Sequence, residues 1–395
     1  MHAPAMQLIE ALIPVFLLLI GLEVLWTRMQ RKSYYYLSDT ITDMSLGMLS
    51  RLTDAFVLLA VLFVYIGIQR NYSLVRLDGY FLDFSSPVAG ARSIASWGLG
   101  FIALDFLFYW SHRISHEVNI LWASHVVHHS SEEYNLSVAL RQSALRNAIT
   151  CVFYLPLAVL GIPWQVFLTV DALNRLYQFW VHTKFLPEDS IPRAYSYVFV
   201  TPSHHRVHHA VNDPYIDKNY GGMFILWDRL FGTFKAETEE PVFGTVKRLK
   251  SYNPILANVH VFVDIARNIR SDIQSGRGLA SLEHLWKTPS SYPVDGIMRT
   301  EQIVRDEYRV PISAGARNAA TVQFIVLLGI SVFYLKTFTL LDWAMRMSFF
   351  ALLACGFYLN GRILERKKTP ILLFALLWAA MAVGITNLLQ ARGLI

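Results

Sequence analysis

Six stretches of the chain are too apolar and too long for an ordinary soluble domain: Leu8–Trp26, Leu46–Ile68, Ile94–Trp110, Thr321–Phe338, Leu340–Leu359 and Pro370–Leu389. A helix of roughly 17–25 mostly apolar residues crosses a bilayer, because helical pairing leaves no backbone polar group bare in hydrocarbon. Composition agrees. Only 16% of the 395 residues are charged and 54% are hydrophobic, whereas soluble domains carry about a quarter charged residues. The fold class this implies is all-α, a multi-pass integral membrane protein. Disorder, a collagen-like fibre and a disulfide-stapled secreted module are excluded. Cys151 and Cys355 lie inside apolar runs and read as small buried hydrophobes. The first run has no positive region before it and contains Glu10, Glu23 and Trp26, so it reads as a retained anchor.

Between residues 144 and 181 lie two shorter apolar runs, broken at Gly161-Ile162-Pro163. They fit a re-entrant hairpin as well as two full crossings. Arg28, Arg31 and Lys32 follow the first run, and Arg362, Arg366, Lys367 and Lys368 precede the last. The positive-inside rule puts both loops in the cytoplasm, and counting passes puts residues 182–318 there too. Arg70, Arg76 and Arg92 stand in the opposite loop and pull the other way. The net charge of +6 is spread along the chain with no basic stripe interleaved with aromatics, so no nucleic-acid partner is expected. Four regions follow: an N-terminal membrane region (1–92), a histidine-rich domain with its membrane helices (93–245), a cytoplasmic cap or linker (246–318) and a C-terminal membrane region (319–395).

Of thirteen histidines, ten fall between positions 112 and 209, while His2, His260 and His284 are scattered. His112 and His116 form HxxxH at the end of the third apolar run, which places them just outside the hydrocarbon. His125, His128 and His129 form HxxHH, His182 stands alone, and His205, His208 and His209 repeat HxxHH with His204 just before. Residues three and four apart share one helix face, so packed helices would converge these rings. A single histidine is usually a hydrogen-bonded core or surface residue. Ten clustered for packing alone would leave many ring nitrogens without partners.

A metal site takes about three or four protein ligands, so this number fits two ions. Imidazole suits zinc, copper, iron or nickel, and the lack of Cys and Met ligands argues against copper transfer. Neutral imidazoles leave a two-metal centre strongly positive, fit to activate an oxygen-derived anion beside lipid chains. A di-iron oxygenase acting on lipid matches best. Supporting residues are expected nearby. Asp105, seven before His112, is expected to orient a ligand imidazole, or else to pair with Arg113 or Arg146. Gln178, four before His182, is expected to ligate weakly, hold a metal-bound water or bond to the cluster. Asn135, Arg141 and Gln142 are candidates for the supporting shell or for recognising a polar substrate or cofactor. Ile225–Phe234 suits either an interfacial stretch at the site mouth or packing on the histidine helices.

Taken in order, HxxxH, HxxHH, a separate His and HxxHH resemble the fatty acid hydroxylase/sterol desaturase superfamily of membrane non-haem di-iron enzymes, over residues 90–245. The segments Phe108–Gln142, Leu176–Phe185 and Thr201–Phe234 are similar to its ether-lipid-oxidising branch. The resemblance implies iron, molecular oxygen and tetrahydrobiopterin, and hydroxylation of the ether-linked carbon of an alkylglycerol to give a fatty aldehyde and a glycerol derivative. It implies His112, His116, His125, His128, His129, His182, His205, His208 and His209 as ligands, with His204 a further ligand or a supporting group. Gln178 departs from the HxxxH that relatives can have in the third box, which leaves one iron with an open or water-filled position. On the residues alone, an external electron-transfer protein serves as well as the pterin. Implied locations are the endoplasmic reticulum membrane in a eukaryote or the inner membrane in a bacterium. Rivals are a sterol, fatty acid or carotenoid oxidase on the same scaffold, a metal transporter, and a non-catalytic lipid-binding scaffold. A transporter would carry its histidines inside the spans, and a scaffold would have lost ligands.

Overall fold

The computed structural model of the protein describes residues 4–391 apart from 82, 84, 188–189, 290–306 and 369. His2 and residues 290–306 of the expected cap lie outside the described residues. The helices are α1 (Pro4–Met29), α2 (Leu37–Tyr72), α3 (Asp78–Phe81), α4 (Pro87–Glu117), α5 (Asn119–His129), α6 (Arg146–Thr150) and α7 (Leu155–Val159). They continue as α8 (Trp164–Trp180), α9 (Arg193–Val198), α10 (Pro202–His209), α11 (Leu226–Leu230) and α12 (Pro254–Gln274). The last three are α13 (Ala314–Thr337), α14 (Trp343–Leu364) and α15 (Ile371–Ala391). The described residues contain no strand beyond two isolated antiparallel bridges, Phe199 to Phe224 and Ala210 to Phe243. The fold is all-α.

All six apolar runs are helical. Among the described residues, four helices are long and apolar enough to cross a membrane: α2, α4, α13 with its 3-10 extension, and α14. Their outer faces are bare: Phe63 is 81% exposed and Val88 82%. Exposed apolar surface on this scale is stable only against lipid or a partner. Residue chemistry sets the helix ends. Pro87 opens α4 behind Ser86, whose Oγ accepts the Ala89 N–H at 3.2 Å. Asn253 caps α12 through the N–H groups of Ile255 and Leu256, and Asp342 caps α14 through that of Met345.

Two apolar cores divide α2. Its first half packs with α13, α14 and α15 around Leu49, Leu327, Leu353 and Phe357. Its second half packs with α4 and the 154–170 segment around Tyr65, Leu104, Leu157 and Val166. Residues 144–181 form two short arms. The apolar run Arg146–Val159 is below span length, and α8 has 17 residues, about 25 Å of helix. The arms pack on α1, α2 and α4. Within the expected cap, α12 and the 3-10 turn Gly278–Leu285 lie on α5, where Asn119 Nδ2 donates to the His284 carbonyl at 2.9 Å.

The hairpin tip is fastened to the end of α2. Leu74 N–H donates to Val159 O at 2.8 Å, and Tyr65 OH to Ile162 O at 3.0 Å. Gly161 turns between the arms with φ +84°, and a Cβ there would stand 1.9 Å from Val75 O. A left-handed conformation costs a non-glycine residue about 1–2 kcal/mol, and here the Val75 backbone must also move. Gly161→Ala is therefore expected to lower the thermal unfolding midpoint in detergent by several degrees. An unchanged midpoint would show that this tip carries no structural constraint.

Candidate metal centre

Four segments deliver the histidines. His112 and His116 occupy the last two turns of α4, and His125, His128 and His129 line α5, which begins at Asn119 after the single linking residue Val118. His182 follows α8, and His205, His208 and His209 lie on α10. The short α10 is held by a capping box: Thr201 Oγ1 accepts the His204 N–H at 3.4 Å, and the Thr201 N–H donates to His204 Nδ1 at 3.3 Å. Its first turn carries Pro202, which suits a helix start.

Nine of the ten clustered histidines converge into two groups. His112, His116, His125, His129 and His208 form one; His128, His182, His205 and His209 form the other; within each group the ligand atoms lie within 4.8 Å of one another. All nine are buried. The groups adjoin, with the rings of His129 and His209 4.3 Å apart. Nε2 faces Nε2 at 3.0 Å between His112 and His125, between His129 and His125, and between His205 and His182. The His182–His128 and His209–His205 separations are 3.2 Å. Two nitrogens each about 2.1 Å from a shared ion stand roughly 3.0 Å apart at a right angle and about 3.4 Å apart at the tetrahedral angle. The spacing is that of ligands around common ions.

Backbone carbonyls set the ring orientation. Nδ1–H of His112 donates to Tyr220 O at 2.8 Å, that of His128 to Arg141 O at 3.0 Å, that of His182 to Gln178 O at 2.7 Å and that of His208 to Lys218 O at 3.0 Å. Each bond fixes the tautomer with its proton outward and the Nε2 lone pair inward. Among the described residues, Nε2 of His116 and His208 and Nδ1 of His205 are buried without a hydrogen-bond partner. Burial, helped by the neighbouring rings, holds His125, His129, His205, His208 and His209 far below the usual imidazole value. Burial brings His182 down to about 4. Neutral rings with inward lone pairs and unsatisfied nitrogens fit two divalent cations.

The other expected site residues either border the two groups or lie apart from them. His204 belongs to neither group; its Nδ1 closes the capping box and its ring meets Phe234 edge-on at 5.5 Å. Among the described residues, Asp105 makes no hydrogen bond or ion pair with a histidine or an arginine. It accepts Asn174 Nδ2 at 2.6 Å and Met223 N–H at 2.8 Å on one oxygen, and Phe224 N–H at 3.1 Å and Trp227 Nε1 at 3.0 Å on the other. Its carboxylate joins α4, α8 and the segment after Gly222. Gln178 gives His182 its backbone carbonyl, while its side-chain amide donates to Asn174. Asn135 bonds to Tyr34 O at 2.6 Å and to Ser137, forming a local turn. The Arg141 guanidinium is fully engaged inside the protein, with Asp43 at 2.9 Å, Asp39 at 3.3 Å, Val127 O at 2.9 Å and Ser130 Oγ. Its carbonyl serves His128. Gln142 bonds to Ala139 O and to Arg146, with its amide 3.4 Å from His128 Nδ1. In the 225–234 stretch, Trp227 and Phe231 pack on Phe106 of α4 at 5.1 and 6.3 Å, which is the packing alternative.

One functional element escaped the sequence, the loop 217–222. Its carbonyls at Lys218 and Tyr220 aim His208 and His112, while Asp217 Oδ1 stands 3.6 Å from His116 Nδ1. Asp217 and Asn219 both take φ +57°. Asp228 anchors the loop by accepting the Tyr220 and Gly221 N–H groups at 2.7 and 2.8 Å and Thr233 Oγ1 at 2.7 Å. Burial pushes its carboxyl up to about 6. A Cβ on Gly222 would lie 2.7 Å from Asp105 Oδ1, so the loop passes Asp105 only as glycine. The sequence Asn219-Tyr220-Gly221-Gly222 is rich in turn-forming residues, but nothing in side-chain identity shows that carbonyls do the aiming.

With this geometry established, comparison with known proteins gives a consistent result. Residues 97–233 match the fatty acid hydroxylase family. The matched residues hold all nine converging histidines, Asp105 and Asp228. The chain is 43% identical over 246 residues to alkylglycerol monooxygenase of Homo sapiens, covering 62% of this chain and 52% of that protein. It is 43% identical over 233 residues to alkylglycerol monooxygenase of Danio rerio, covering 58% and 48%. The ornithine lipid hydroxylase OlsE of Rhizobium tropici is 31% identical over 144 residues, covering 34% of this chain and 40% of that protein. The chain thus spans about half the length of the alkylglycerol monooxygenases it matches. No solved structure matches it.

The buried histidines have a consequence for stability. A histidine whose folded pKa falls from 6.5 to about 4, as for His182, leaves the unfolded chain holding more protons between those values. Stability is full above about 6.5 and falls as pH drops toward 4. Metal-free protein in chelator is therefore expected to unfold at progressively lower temperature from pH 7 to pH 4.5. A flat profile would contradict neutral buried rings.

Proposed function

We propose that the chain is a membrane non-haem di-iron monooxygenase that uses molecular oxygen to hydroxylate the ether-linked carbon of an alkylglycerol, yielding a fatty aldehyde and a glycerol derivative. The observation that carries this reading is the pair of adjoining all-imidazole groups with inward Nε2 atoms. The 43% identity to two alkylglycerol monooxygenases supports the substrate class. Iron is the metal of this reading because a redox metal is needed for oxygen chemistry and imidazole accepts it.

The five-histidine group would hold one iron and the four-histidine group the other, and bound iron would supply oxygen activation and hydrogen abstraction from the chain carbon. The chain's own residues do the rest. The carbonyls of Tyr220, Lys218, Arg141 and Gln178 keep four Nδ1 protons outward, so their rings stay neutral donors at Nε2. Tyr134, stacked near His182 with its hydroxyl on Val181 O, and Trp122 beside His116 wall the groups from water. The lower ligand count of the second group suits the iron beside which oxygen would bind.

In this proposal tetrahydrobiopterin supplies electrons, the site faces the cytoplasm, and the apolar helices hold it against lipid. The positive loops at 28–32 and 362–368 support the orientation. The similarity to an ornithine lipid hydroxylase favours one second reading, hydroxylation of a different lipid chain on the same scaffold. Product analysis by mass spectrometry separates the readings. Alkylglycerol is expected to give fatty aldehyde only when iron, oxygen and the pterin are all present. Turnover sustained by a protein donor without pterin would replace the reductant, and a hydroxylated chain without cleavage would favour the second reading. His128→Ala and His208→Ala, one from each group, are expected to lose turnover by at least about a hundredfold and to bind less iron. Full activity in either would remove that residue from the ligand set.

A further inference from the structure

Arg146 opens α6, where the chain passes from the loop after α5 into the apolar hairpin. Its guanidinium carbon stands 5.9 Å from the centre of the Phe108 ring, and Phe108 lies one turn before His112 on α4 with the two rings 5.3 Å apart. Its Nη1 donates to Gln142 Oε1 at 2.7 Å, and the Gln142 amide is 3.4 Å from His128 Nδ1. Arg146 therefore stands one residue removed from a histidine of each group.

The charges around it are already matched. Arg51 pairs with Asp54 at 2.7 Å, and Arg175 with Asp171 at 2.7 Å. Asn147 ties the two pairs together, donating to Asp54 at 2.7 Å and accepting from Arg175 at 3.2 Å. Among the described residues no carboxylate lies within ion-pair distance of Arg146, and Gln142 takes only one of its five N–H donors. Arg146 is half-buried, beside the apolar helices. Arg141 contrasts with it, being fully buried with its guanidinium bound to Asp39, Asp43, Ser130 and a carbonyl. An unmatched guanidinium beside apolar helices calls for acceptor oxygens, and its planar fork suits hydroxyl or phosphate oxygens presented together.

We propose that Arg146 binds the acceptor oxygens of the lipid substrate's polar head and thereby sets which carbon lies beside the metal groups. This rests on the lipid-oxidising reading above. The ether-linked carbon is the first chain carbon beyond the head. A head held at Arg146, across the Phe108 ring from His112, presents that carbon and leaves the rest of the chain to run out among the apolar helices. Head recognition is then the source of position selectivity.

The test is equilibrium binding to the purified full chain in detergent, without oxygen or reductant so that nothing turns over. The probes are radiolabelled hexadecylglycerol, its phosphate and hexadecane. Arg146→Ala is expected to weaken both headed lipids by about tenfold or more, the scale of a lost hydrogen bond to a charged group, with hexadecane unchanged. Arg146→Lys is expected to fall between, since it keeps the charge and loses the fork; with Arg146→Gln it carries the test if the alanine variant does not fold. Loss confined to the phosphate would assign the site to a phosphorylated head, and loss for both to head hydroxyls as well; either result supports the site. Equal weakening of all three lipids, or of none, overturns it. Arg146-dependent binding without aldehyde formation by the wild type would sink the assigned reaction and leave the head site standing. Aldehyde formation with unchanged binding in the variants would sink the head site alone.

Discussion

The arrangement depends on the bonds between imidazole Nδ1–H groups and main-chain carbonyls. A buried imidazole is costly to charge, and an imidazole left to rotate presents either nitrogen to the cluster. Four carbonyls remove that freedom at His112, His128, His182 and His208, two on each side of the centre. Their positions are set in turn by the loop anchored on Asp228, by Arg141 locked against Asp39 and Asp43, and by the last turn of α8. Polar residues far from any histidine thus decide what the histidines can do.

The apolar scaffold and the polar centre meet on α4. Its first half faces outward with Val88 and Ile94, and its last two turns carry two ligand candidates. Asp105 lies between, and its four hydrogen bonds draw α8 and the 222–227 segment onto the same helix. Gly222 permits that approach because any Cβ would collide with the carboxylate. The hairpin of α6 to α8 begins at Arg146 and ends just before His182, so the polar residues at the starts and ends of its arms lie beside the centre.

Much of this was legible in the sequence because it is periodic. Apolar runs set the helices, and the i, i+3, i+4 spacing of His125, His128 and His129 and of His205, His208 and His209 set which rings share a face. His204 broke the pattern because it occupies the third helical position, where a capping box uses its ring. Asp105, Gln178, Asn135 and Arg141 were read by proximity in sequence to the boxes, yet their side chains bond to segments about a hundred or more residues away or to near neighbours in the chain. Such partners have no period. The aiming carbonyls were invisible for a simpler reason: every residue has one, and only the fold says which are used.

The central claim is that these nine rings hold two metal ions side by side. Iron per chain, measured by mass spectrometry on protein purified from iron-replete cells and freed of loosely bound metal, tests it most directly. The account requires a ratio close to two. A folded, catalytically active preparation with one iron or none would contradict it.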